Sequence, residues 1–139
     1  MNNELVISST PDEVNIALLE DKHIVELNSE KKDQRFQVGD IYLGRVKKLI
    51  QGLNAAFVDV GHEKDAFLHY LDLGPQVDSL LKLIKQSTSG KNPDPMLANF
   101  QLEKDIDKGG KINNVLSPNQ WVLVQVAKEP ISSKGPRIT

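Results

Sequence analysis

The chain has 139 residues, a formal net charge of -2 and 39% hydrophobic residues, enough for one compact domain with appendages. No global positive field draws such a chain to nucleic acid, so any nucleic-acid site has to be a local patch. The absence of cysteine excludes disulfides and thiolate metal sites and fits a reducing compartment. No apolar run is long enough to span a bilayer, and the first residues, MNNELVISSTPDE, lack the basic and apolar regions of a signal peptide. A cytoplasmic location, with no membrane partner, is therefore expected.

In chain order, residues 4–8 read as a short strand and Ser9-Thr10-Pro11-Asp12 as a turn. Residues 14–19 and 24–27 read as two further strands joined by Glu20-Asp21-Lys22-His23. Pro11 and Asp12 can instead open a short helix, but Val14, Ile16 and the hairpin-like spacing favour strand. Residues 29–34, SEKKDQ, read as a charged linker.

The stretch 39–70, GDIYLGRVKKLIQGLNAAFVDVGHEKDAFLHY, organises the chain. Its two-residue period predicts strands at 40–49, 55–60 and 64–69, punctuated by Gln51-Gly52 and by Gly61-His62-Glu63. Alternate side chains of a strand point to opposite faces. Ala56, Val58 and Val60 therefore share one face of the second strand, and Phe57 and Asp59 the other. On the third strand Ala66 and Leu68 oppose Asp65, Phe67 and His69. The aliphatic faces suit the core of a small barrel.

Val77, Leu80, Leu81 and Ile84 follow the i, i+3, i+4, i+7 rule and predict a helix over 75–85 with proline near its first turn. Residues 87–116, with STSGKNPDP and DIDKGGKIN, read as a long, mobile excursion. QWVLVQVA at 120–127 is a fourth strand, and Arg137-Ile138-Thr139 begin a fifth. Five short strands with a helix between the third and fourth are the pattern of the OB fold. The expected class is all-β with one helix: a five-stranded OB-fold barrel with an N-terminal β appendage at 1–34, the barrel running over 35–139 with an insertion at about 72–116.

Two phenylalanines on the polar face need explaining. Phe57 and Phe67 can be a cross-strand aromatic pair partly covered by a loop. They can equally be a platform on which unpaired bases stack, at roughly 1–3 kcal/mol per base. His69 can stack or hydrogen-bond beside them. Other chemistry is thin. Asp59, Glu63, Asp65 and Asp72 lie close in sequence, but without a ligand spacing they read as a solvated rim. His62 and His69 lack a third ligand. The serines of Ser132-Ser133-Lys134-Gly135 fall in a turn too short for a phosphate-binding loop. The apolar stripe of the helix most simply packs on the barrel, with docking of a partner helix as the alternative.

GDIYLGRV, AAFVDVG and KDAFLH resemble the RNA-binding barrel of ribosomal-protein S-one type. AAFVDVG with FLH, and then VLVQVAKEPISSKGPRIT, resemble more specifically the ribonuclease E/G family, well over 39–70 and 120–139, more weakly over 1–32, and not over 72–116. The resemblance implies single-stranded RNA as partner, with Phe57 and Phe67 at the aromatic positions that hold it. It implies Lys128 and Lys134 flanking the same channel, Arg45 as a basic residue on the first strand, and His69 as the histidine of the wider barrel superfamily. In the family, paired aspartates that hold magnesium and a cysteine pair that holds zinc lie downstream of the barrel. No catalytic or metal residue is thus expected in this sequence; magnesium and zinc are expected in a parent endoribonuclease of RNA processing and decay, the alternatives being a free-standing RNA-binding module or a protein-interaction barrel. In the same way the strands of 1–34 are expected to belong to the parent's RNase H-like nuclease domain. The parent is expected to be a homo-oligomer, and the isolated chain to dimerise through its N-terminal strands.

Overall fold

The computed structural model describes residues 1–31, 35–90 and 96–139, and divides into two units, Met1–Arg35 and Phe36–Thr139. The first unit is an antiparallel meander of β1 (Asn3–Ser9), β2 (Glu13–Glu20) and β3 (His23–Lys31), in that order. Thr10 shapes the first turn: its Oγ1 accepts from the Glu13 N–H and donates to the Glu13 carbonyl, both at 3.1 Å. Asp21 and Lys22 make the second, with φ of 47° and 69°, the two positive values that a tight hairpin matching strand twist requires. The strand β3 runs further than expected. Residues 29–31 of the presumed charged linker pair with Glu13, Val14 and Asn15, and the remainder of that linker, 32–34, lies outside the described residues. The register puts Leu5, Ile7, Val14, Ile16 and Leu18 on one face, and Val6, Ala17, Leu19, Ile24 and Leu27 on the other. This sheet is apolar on both sides, and Leu5, Ile7, Ile24 and Leu27 are exposed.

The second unit is a closed barrel of β4 (Ile41–Ile50), β5 (Ala55–Asp59), β6 (Ala66–His69), β7 (Trp121–Lys128) and β8 (Arg137–Ile138), in the order β4-β5-β6-β8-β7. This is the five-stranded, OB-type architecture that the sequence predicts, with one helix, α1 (Val77–Thr88). Alternation fills its interior: Val46, Ala56, Val58, Ala66, Leu68, Val122, Val124, Val126 and Ile138 are all buried. The faces expected for β5 and β6 are the faces observed. β6 and β8 are parallel, all other neighbours antiparallel, so the short closing strand completes the barrel from the far side. Gly44 lacks a side chain for a reason: a Cβ there would lie 2.6 Å from Cγ1 of Val58.

Two expectations need correction. The helix starts at Val77 and runs to Thr88, two and three residues later than the apolar spacing suggests. Its stripe does pack on the barrel, with Ile84 buried and Leu81 against the core. The excursion after it is also not loose over its described residues. Asn54, in the left-handed region at φ 50°, accepts the Ile112 N–H on Oδ1 at 2.7 Å and donates from Nδ2 to the Gly110 carbonyl at 3.1 Å. The Tyr70 hydroxyl donates to the Asp107 carbonyl. Ser79 Oγ accepts the Glu103 N–H at 2.8 Å, and Ile106 donates to the Pro75 carbonyl at 2.9 Å. Ile112 and Leu116 are fully buried and, with Tyr70, belong to the same hydrophobic cluster as the barrel interior. Residues 101–116 are thus pinned to the barrel through Ile106, Ile112, Val115 and Leu116 and by side chains far away in sequence, while most of their other residues stay exposed.

Candidate nucleic-acid interface

On the outer surface of the barrel, strand pairing lines five side chains into one lateral row. Lys48 lies opposite Phe57, Phe57 opposite Phe67, Phe67 opposite Arg137, and Arg137 opposite Lys128. The row crosses β4, β5, β6, β8 and β7 in turn. The Phe57 and Phe67 rings meet edge to face, with centroids 5.8 Å apart and planes at 66°. Both rings are half-buried. Lys48 Nζ sits 5.5 Å from the Phe57 centroid, close enough for a cation–π contact.

An open groove of about 760 Å³ runs over this row, lined by Lys48, Lys64, Lys128, Lys134 and Arg137, by Asp65 and Glu129, and by the two aromatic rings. Five bases against two acids leave the lining at +3 on a chain whose net charge is -2. The acids are partly neutralised: Lys47 Nζ lies 3.3 Å from Asp65 Oδ1. Arg137 is fixed rather than free, donating from Nε and Nη2 to Asp72 Oδ2 at 3.1 and 3.0 Å. Arginine and lysine meet phosphates, and aromatic faces meet bases, so the groove has both functional groups that an unpaired nucleic-acid strand requires.

Of the six expected site residues, the structure brings Phe57, Phe67, Lys128 and Lys134 together here. The phenylalanines are the cross-strand aromatic pair of the first reading, and they line an open groove. His69 and Arg45 are elsewhere. His69 caps the turn Tyr70–Asp72, its Nδ1 accepting the Leu71 N–H at 3.0 Å. Arg45 lies across from Asp59 and over Trp121. Sequence reasoning missed Lys48, Lys64 and Arg137. Lys48 was concealed by a β-bulge between Val46 and Lys48, which turns Lys48 outward and Leu49 inward. The signal was the spacing itself, because Val46 and Leu49 are both apolar yet cannot share a face at period two.

Among the described residues no three of His, Asp or Glu are grouped to hold a metal ion. Asp59 Oδ1 accepts the Gly61 N–H at 2.9 Å, while Asp65 and Asp72 face cations. A second hollow of about 500 Å³, between α1, β7 and residues 97–102, is mainly apolar and carries no Lys, Arg or His among its lining residues. Among the described residues no helix is long and apolar enough to cross a membrane.

Fold and groove together define a small OB-type barrel with a basic, aromatic face. No protein-family model matches the chain. Individual proteins do: ribonuclease G of Haemophilus influenzae is 34% identical over 136 residues, 98% of this chain and 24% of its own length. Ribonuclease G of Escherichia coli K12 is 30% identical over 139 residues, 100% of this chain and 24% of its own. Ribonuclease E of a Synechocystis strain is 39% identical over 104 residues, 74% of this chain and 11% of its own. The chain belongs to the ribonuclease E/G family and spans about a quarter of the length of the ribonuclease G relatives, 24%. The matches to ribonuclease G take in residues 72–116, which the motifs alone set apart from the family.

Proposed function

We propose that the barrel binds single-stranded RNA in the groove over Phe57 and Phe67 and guides substrate for a ribonuclease E/G-type endoribonuclease of cytoplasmic RNA processing and decay. The observation that carries this reading is the row Lys48–Phe57–Phe67–Arg137–Lys128, which places a stacking surface between cations on both sides. Cleavage, by metal-assisted hydrolysis of the phosphodiester, is assigned to the rest of such an enzyme, where magnesium and zinc would reside; near the groove Asp65 and Asp72 pair with Lys47 and Arg137. Affinity for a labelled single-stranded oligonucleotide should fall linearly in log–log coordinates with salt. Lys48→Ala, Lys128→Ala and Lys134→Ala should each reduce the slope by about 0.7, the value for one phosphate contact on a single strand. An affinity indifferent to salt would overturn the proposal.

The two apolar faces of the β1–β3 sheet support the corresponding proposal for the first unit, a place in the nuclease domain of an oligomeric parent. Alone, the chain is expected to bury these faces between copies. Light scattering over a concentration series should show dimers that dissociate when Leu5, Ile7 and Leu27 are replaced by Lys. A protein monomeric at every concentration would argue that the sheet needs no partner.

A further inference from the structure

Arg45 and Trp121 stand opposite each other across the β4/β7 pair. The guanidinium carbon is 5.4 Å from the Trp121 ring centroid, and Nε donates to the Asn119 carbonyl at 3.3 Å. That bond anchors the arginine by one donor and leaves both Nη groups available. Asp59, its neighbour on β5, turns Oδ1 to the Gly61 N–H rather than to Arg45. Trp121 is 42% exposed, so a large aromatic surface stands in water beside an anchored cation. An unpaired nucleotide uses this combination, its base against the ring and its phosphate against the guanidinium.

The pair lies outside the groove lining but on the same outer surface of β4 as Lys48. Arg45 precedes Lys48 by three residues on β4, about 10 Å of strand, and both point outward. A strand of RNA passing Phe57 and Lys48 reaches Arg45 next, inside the roughly 4–16 nucleotides that one OB-type barrel occupies. Leu43 and Leu123, paired on the same outer face, add apolar surface beside the ring.

We propose that Arg45 and Trp121 form a second station on the barrel, separate from the groove, that takes one unpaired RNA base and its phosphate. The proposal rests on the RNA-binding reading of the groove, and its test separates the two. Trp121 is the only tryptophan in the chain, so its emission reports the station while the anisotropy of a labelled oligonucleotide reports overall binding. Oligo(U) of about 12 nucleotides should quench Trp121 and shield it from acrylamide. Trp121→Leu should weaken that oligomer roughly 5- to 150-fold, the equivalent of 1–3 kcal/mol for one stacked base, and leave an oligomer of about 4 nucleotides within twofold. Arg45→Met, which keeps the tryptophan, should reduce both quenching and affinity for the longer oligomer, and serves if Trp121→Leu fails to fold. Anisotropy that rises while Trp121 emission is unchanged overturns the station and leaves the groove standing. No rise in anisotropy removes the groove reading, and the station with it. Emission that shifts with protein concentration but not with RNA assigns this face to a second copy of the chain and also overturns the proposal.

Discussion

Gly135→Ala is expected to open the barrel, lowering its melting temperature by on the order of 10–20 °C and abolishing measurable RNA binding. Gly135 lies against the start of β6 with no room for a side chain. A Cβ would overlap the Asp65 carbonyl oxygen and stand 2.8 Å from both the Asp65 carbonyl carbon and the Lys64 carbonyl oxygen. All of these are backbone atoms, so no rotamer change relieves the clash. The tail has to lift away, and the bond from the Phe67 N–H to the Pro136 carbonyl, 2.9 Å, goes with it. Pro136 and Ile138, both fully buried, then lose their places. Overpacking a tight site costs about 1–3 kcal/mol, and a clash with backbone belongs at the upper end. Function falls further than stability because Lys134, Gly135 and Arg137 line the groove that the lifted tail abandons. Gly109→Ala is the control: a Cβ there meets nothing within 4 Å, and the variant should melt like the parent. Thermal melts followed by oligonucleotide anisotropy decide the matter, and a Gly135→Ala protein with native melting would show that the tail does not close the barrel.

The elements that were legible in the sequence are those whose signal is local. Alternation in AAFVD and AFLH determines which side chains enter the barrel, because a pleated strand allows no other assignment for Val58 or Leu68. QWVLVQVA carries the same pattern, and its buried valines are where that pattern puts them. What stayed hidden depends on pairs distant in the chain. Asn54 reads as a turn residue, yet its side chain holds Gly110 and Ile112, 56 and 58 residues later. Nothing near Asn54 announces that, and so the pinned excursion reads as loose. Arg137 is similar: its place in the row follows from a parallel pairing with Phe67 and from Asp72, 65 residues earlier. His69 has a local role that its spacing does not announce: its Nδ1 accepts the N–H of Leu71, two residues on, at 3.0 Å. The bulge at Lys48 lies between these cases, since its sequence signal was present but contradicted the simple period.

The Phe57 and Phe67 pair should behave as one binding station rather than two. The rings oppose each other across β5 and β6 and meet edge to face at 5.8 Å, so a base lying flat on one ring meets the edge of the other. Phe57→Ala and Phe67→Ala are each expected to weaken single-stranded RNA binding by about 1–3 kcal/mol, the worth of one stacked base. The double variant should lose little more than the more severe single change, because the ring left behind has lost the neighbour that oriented it. Each single change also removes an edge-to-face contact worth about 0.5–1.5 kcal/mol, a loss of stability that leaves the barrel folded since neither ring belongs to its buried interior. A double-mutant cycle by fluorescence anisotropy, with a melt for each variant, measures both quantities. Fully additive losses would mean two independent stacking sites. Unchanged affinity in folded variants would reduce the pair to a structural contact, and the charged lining would then have to account for binding alone. Lys48→Ala discriminates further. Its ammonium lies beside the Phe57 ring, so if it serves only a phosphate its loss should add to that of Phe67→Ala, and if it also orients Phe57 the two losses should overlap.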